Sequence, residues 1–190
     1  HYDAGFRFLA ERNSIVEEGH QIATIAMRAP SRTERQLYYI TWLQPVPLGE
    51  VDTQRFFLVS ETLSGEPYDH VEIIPPRPDN GFIIYPAGLT WDPLSDSFFY
   101  LERNSRTFLR IDTDGNELGR FPHPSPPYQN FVFNLGLSID AENRTLLLTT
   151  AGYGDHGITK VLEMDFEGVL SGLELPLTGL GNEIRDIELN

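Results

Sequence analysis

A carboxylate and an imidazole stand side by side in Gly152-Tyr-Gly-Asp-His-Gly157, with glycines on either side that let the loop bend. Asp155 and His156 in that setting suit an acid/base pair or metal ligation from a loop at one face of a fold. The plainer alternative is a flexible hairpin in which Asp155 caps a turn. A second acidic group lies near the end of the chain, at Glu183, Asp186 and Glu188. Carboxylates and amide oxygens are the hard ligands that Ca2+ takes, and Asn134 joins this set if its strand lines the same channel. Otherwise these residues cap a water-filled channel or pair with Arg185.

Other arrangements carry less. Asp112-Thr-Asp-Gly-Asn-Glu117 has the start of a calcium loop without the rest of its twelve-residue spacing, and reads as a hairpin turn. The five histidines, at 1, 20, 70, 123 and 156, are scattered, and no Gly-x-Ser-x-Gly is present from which to assemble a Ser-His-Asp triad. The absence of cysteine excludes disulfides, thiolate metal sites and a cysteine nucleophile. Tyr38, Tyr39, Trp42, Tyr85, Trp91, Tyr128 and Tyr153 offer stacking surfaces for sugars or peptides, or pack between repeats. Asn143-Arg-Thr145 is an N-glycosylation acceptor pattern in an expected turn.

Composition narrows the classes of partner. A formal charge of −14 leaves no basic face for phosphates, which argues against nucleic acid and against an anionic membrane surface. No apolar run approaches about 18 residues, so membrane insertion is not expected. His1-Tyr2-Asp3 opens no secretion signal, and an exported protein would therefore be in its mature form. A chain of 190 residues with 40 % hydrophobic and 12 % aromatic content can bury a sizeable core.

The elements that must position these residues are strands. Gly88 to Phe121 reads as an up-and-down sheet: an apolar run at Leu89 to Trp91, a turn at Asp92-Pro93, strands at Phe98 to Leu101 and Phe108 to Ile111, and a turn at Asp114-Gly115. Its parts recur. Gly136-Leu-Ser-Ile-Asp140 repeats Gly88-Leu-Thr-Trp-Asp92, and Val161 to Gly168 repeats Leu109 to Gly115, with Val169 to Leu177 as the outer strand of that copy. Gly5 to Ser14 repeats Ser97 to Ser105, and is followed by the alternating strand Gln21 to Met27. In the remaining copy, Gln36 to Leu43 is a strand, and Arg55 to Gly65 takes the place of the aromatic strand. Phe8, Phe57, Phe99 and Leu147 thus mark four copies at intervals of 42 to 49 residues.

Repeats of that length with several strands each point to an all-β fold, a β-propeller of about four blades, with five as the alternative. Glu183 to Asn190 resembles the inner strand missing from the first copy, so that the C-terminal strand completes the first blade. The expected organisation is one propeller domain over 1–190: blade 1 from 1–30 plus 181–190, blade 2 from 31–80, blade 3 from 81–127 and blade 4 from 128–180. The same terminal strand, paired with a neighbouring molecule, would give a homo-oligomer or a fibre.

Arg185-Asp-Ile-Glu-Leu189, Phe8-Leu-Ala-Glu-Arg-Asn13, Leu109-Arg-Ile-Asp-Thr-Asp-Gly-Asn116 and Asn134-Leu-Gly-Leu-Ser-Ile-Asp140 resemble blades of the esterase-like phytase and SdiA-regulated families of exported bacterial propellers. The resemblance implies a secreted or periplasmic location. It also implies, as one reading, a calcium-dependent hydrolase of phosphate or carboxylic esters, or of lactones, with an acidic central channel. The other reading, which scaffold motifs without a catalytic constellation favour, is an extracellular non-catalytic module for binding or self-assembly.

Overall fold

The computed structural model of the chain describes residues 20–43, 54–64, 66–75, 86–102, 105–122, 133–151 and 160–176. They form twelve strands in three four-stranded antiparallel sheets, each with its strands in sequence order. Sheet I holds β1 (His20–Arg28), β2 (Gln36–Leu43), β3 (Phe56–Thr62) and β4 (Pro67–Ile73). Sheet II holds β5 (Pro86–Asp92), β6 (Ser97–Glu102), β7 (Thr107–Asp112) and β8 (Glu117–Pro122). Sheet III holds β9 (Phe133–Asp140), β10 (Thr145–Ala151), β11 (Lys160–Asp165) and β12 (Leu170–Pro176).

The first strand of each sheet is the innermost: β5 lies between β1 and β9, and the sheets stack face to face outward from these three. This is the blade arrangement of a β-propeller. β6 shows why the sequence demands it. All of its residues are buried, with Phe98 and Tyr100 turned into the core shared with sheet I, and Phe99 and Leu101 into the core shared with sheet III. A strand apolar on both faces needs a layer on each side. Toward sheet I the filling is aromatic, with the Tyr38 and Phe98 ring centroids 4.5 Å apart. Toward sheet III, Leu146, Leu148, Leu162 and Met164 face Phe99, Phe108 and Phe121.

The expected repeats fall on equivalent places. Gly88 to Asp92 and Gly136 to Asp140 both lie on inner strands, and Leu109 to Gly115 and Val161 to Gly168 both run from a third strand into its turn. Each of these turns closes alike: Asp112 N–H donates to the Asn116 carbonyl at 3.0 Å, and Asp165 N–H to that of Val169 at 2.9 Å. The glycines Gly115 and Gly168 have φ of +79° and +87°, and each abuts the outer strand of the preceding sheet.

Two assignments in the first sheet differ from the sequence reading. The strand Gln21 to Met27, assigned there to the copy before, pairs with β2 from His20↔Leu43 to Arg28↔Gln36 and is the inner strand of sheet I. The residue-30 boundary therefore falls within a hairpin. Arg55 to Gly65 supplies the third strand, β3, while Gln36 to Leu43 is the second. The physical reason is the β1–β2 connection over 29–35, a polar loop in place of the four-residue turns that join β5 to β6 and β9 to β10. The residues expected to close the ring, 1–19 and 177–190, lie outside those described.

Candidate functional site: a cavity at the ends of the inner strands

β1, β5 and β9 end at the same level in Arg28, Asp92 and Asp140, which pair with the first residues of the second strands, Gln36, Ser97 and Thr145. Each pairing contains one bulge before that end: at Ala23 in β1, at Gly88 in β5, and in β9 where Leu137 and Asn134 face Leu148 and Thr150. Bulges twist a strand and re-aim the residues after them. At Gly88, φ is +66° and a Cβ would stand 2.7 Å from Leu137 Cβ, so glycine is what allows β5 and β9 to approach this closely.

The strand ends and the turns after them enclose a cavity of about 560 Å³. Ile25 and Met27 of β1, Thr90 and Trp91 of β5, and Ser138 and Ile139 of β9 are on its walls. Ile25 and Met27 are 51 % and 46 % exposed, so the β1 side is open to solvent. Thr90 and Ser138, 48 residues apart and on corresponding strands, are 9 % and 6 % exposed.

Two ion-pair clamps fix these walls. Arg28 grips Asp96 with two hydrogen bonds, from Nε at 2.7 Å and Nη2 at 2.6 Å, and donates from Nη1 to Gln36 Oε1 at 2.8 Å. The Trp91 indole N–H donates to Asp96 Oδ1 at 3.0 Å, which ties the aromatic wall to β1. Across the next seam, Arg144 Nη1 donates to both oxygens of fully buried Asp92, at 2.9 and 2.8 Å. Asp92 also accepts from Leu94 N–H at 3.0 Å and from the Ser95 hydroxyl, and the Arg144 guanidinium lies 4.2 Å from the Phe166 ring centre. The Arg28 hydrogen bonds hold the Asp96 carboxyl below its ordinary range. Burial works to raise that of Asp92, but Ser95, Arg144 and the Leu94 N–H outweigh it, and it too is depressed.

Two described turn carboxylates are engaged structurally. Asp112 Oδ1 accepts from Asp114 N–H and Asn116 N–H and its Oδ2 from the Asn116 amide, so the calcium-loop lookalike is a hairpin turn. Asp165 does the same with Glu167 and Val169. Asn143 is exposed in a turn as expected, and its Nδ2 donates to Asp140 Oδ2 at 2.8 Å. Asn134 lies on β9 opposite Thr150. Asp155, His156, Glu183, Asp186 and Glu188 lie outside the described residues, as do Tyr85, Tyr128 and Tyr153. Among the described residues, no three acidic or imidazole side chains are grouped to hold a metal ion.

Of the remaining aromatics, Tyr38 and Trp42 serve the sheet I/II core, and buried Tyr39 donates its hydroxyl to Glu61. Among the described ones of the seven, Trp91 is on the cavity. One grouping escapes sequence reasoning: His20 and His70, 50 positions apart, meet around Phe57, with ring centroids 5.2 and 4.6 Å from it. Arg55 stacks over the same ring at 5.1 Å while gripping Glu72 through two hydrogen bonds. Only the pairing of β1, β2, β3 and β4 brings these together.

No known family's sequence profile matches this chain, and no curated protein matches it in sequence. Among solved structures it is similar to a chain of a nidogen/laminin complex, at 15 % identity and a TM-score of 0.47, over 80 % of this chain and 50 % of that one. It is also similar to a chain of the hydrazine synthase of Kuenenia stuttgartiensis, at 9 % identity and a TM-score of 0.43, over 90 % of this chain and 53 % of the other. The chain thus spans about half the length of each of these. Among the described residues, no helix is long and apolar enough to cross a membrane.

Proposed function

We propose that the chain is a non-catalytic β-propeller module that binds its ligand at the ends of the inner strands. The observation that carries this reading is the cavity shared by β1, β5 and β9, walled by apolar side chains and steadied by Arg28 and Asp96. Rigid walls lower the entropy lost on binding. Asp92, Asp96, Asp112, Asp140 and Asp165 each serve a clamp or a turn, which supports a scaffold role for these carboxylates. Secretion belongs to the reading on the strength of the family resemblance.

The test is hydrolysis of p-nitrophenyl phosphate and p-nitrophenyl acetate by the purified chain with calcium, with and without a chelator. The expected result is no turnover above buffer. Turnover that the chelator abolishes would overturn the non-catalytic reading and favour the calcium-dependent hydrolase. Self-assembly is a second form of the module's function, favoured by an outer edge strand, β12, whose Leu173 and Leu175 are exposed. Light scattering over a concentration series tests it: rising mass is expected, and a strict monomer removes it.

A further inference from the structure

We infer that the cavity takes one small, uncharged, largely apolar molecule that carries a hydrogen-bonding group, with Trp91 as its wall and Thr90 and Ser138 as its polar contacts. This rests on the binding reading above and adds the class of ligand.

Three observations support it. At about 560 Å³ the cavity falls within the range of roughly 300 to 1,000 Å³ that suits single small ligands. None of the described side chains on its walls carries a formal charge, although the chain as a whole has a net charge of −14. A charged ligand would give up its hydration there with no counter-ion in return, and an anion would also be repelled by the protein's overall field. Thr90 and Ser138 are nine-tenths buried on adjacent inner strands, and each brings a hydroxyl-bearing side chain to the cavity wall. A ligand N–H, hydroxyl or carbonyl can hydrogen-bond to them, whereas a pure hydrocarbon cannot.

Trp91 makes the site selective for flat molecules. Its indole N–H is committed to Asp96, which Arg28 holds from the neighbouring sheet, so the ring face is fixed before any ligand arrives. Flat apolar ligands gain by offset stacking on such a face.

The experiment compares two probes with one aromatic skeleton: N-phenyl-1-naphthylamine, which is uncharged and carries an N–H, and 8-anilino-1-naphthalenesulfonate, which adds an anion. The full chain is titrated with each while the Trp91 indole N–H resonance is followed by NMR, assigned through Trp91→Phe. The uncharged probe is expected to shift it saturably with one-to-one stoichiometry, and to bind at least about tenfold more tightly than the sulfonate. Thr90→Val with Ser138→Ala is expected to weaken the uncharged probe by about fivefold, the worth of one ordinary hydrogen bond. Met27→Arg, at a half-exposed position that tolerates the change, is expected to reverse the order of the two probes. Equal or tighter binding of the sulfonate to the unaltered chain would overturn the ligand class while leaving a binding module standing. No shift with either probe would overturn the cavity as a site, a result independent of the hydrolysis assay.

Discussion

The two seams of this molecule use the same pair of positions with opposite polarity. At the seam between sheets I and II, the last residue of the inner strand is the cation, Arg28, and the turn residue before the next second strand is the anion, Asp96. At the seam between sheets II and III, the strand-end residue is the anion, Asp92, and the turn residue is the cation, Arg144. Asp96 and Arg144 share a left-handed backbone, with φ of +48° and +57°, so the repeat preserves the geometry of the clamp and not the identity of its charges. The arrangement would place Arg28 against Arg144 if sheet I packed on sheet III, and Asp92 against Asp96 if sheet II packed on a copy of itself. Inverted charge therefore favours the observed order of blades over these alternatives.

The seams differ in depth as well as sign. Asp92 is fully buried, whereas the Asp96 side chain is 48 % exposed. A buried charge that loses its partner costs far more than an exposed one. Arg144→Ala is accordingly expected to destabilise the fold by about 3 kcal/mol in chemical denaturation, and Arg28→Ala by about 1 kcal/mol or less. Equal losses would break the distinction.

The turn glycines sharpen it next. A Cβ on Gly168 would stand 2.9 Å from the Phe121 ring and 3.1 Å from the Pro122 carbonyl, while one on Gly115 meets only methyls of Ile73 and Val71, at 2.8 and 3.2 Å. Methyl ends of side chains yield more readily than backbone. Gly168→Ala is expected to cost about 2 to 3 kcal/mol and Gly115→Ala about 1 to 2 kcal/mol, read as shifts in denaturation midpoint.

Acid separates the seams by a third route. Both Asp92 and Asp96 have pKa values depressed in the fold, so the stability they contribute is full above the unfolded carboxylate value of about 3.9 and is lost as pH falls through the lower folded values. Asp92→Asn is expected to flatten the loss of stability below about pH 4 more than Asp96→Asn does, because Asp92 has no solvent to turn to when its partner's charge goes unmet. The smallest effect is expected at the outer edge of sheet III. β12 exposes both Leu173 and Leu175, whereas on β8 Leu118 is the exposed large apolar side chain. Leu173→Lys with Leu175→Lys is expected to leave stability within about 0.5 kcal/mol and to lower self-association in light scattering.

Sheets II and III were legible in the sequence because both carry the same glycines for the same reasons. Gly88 and Gly136 sit at the inner-strand bulge, and Gly115 and Gly168 at a left-handed turn against the neighbouring blade, so geometry constrained residue type at both. Sheet I was less legible. Its bulge falls at Ala23, its first connection is a polar loop, and aromatic residues populate both β2 and β3, which left no punctuation to distinguish second strand from third. The clamps were invisible because the paired positions interchange Arg and Asp, so an alignment of repeats sets Arg28 against Asp92 as a mismatch. The cavity was hidden in another way. Leu89 to Trp91 reads as an apolar run in a strand, and only the meeting of three strand ends turns that run into a wall.

The most direct test of the account is a pair of double-mutant cycles, Asp92/Arg144 and Arg28/Asp96, each measured to alanine by chemical denaturation. The expected result is a coupling of about 2 kcal/mol or more across the buried clamp and under about 1 kcal/mol across the exposed one. Equal couplings, or the larger one at Arg28/Asp96, would contradict it.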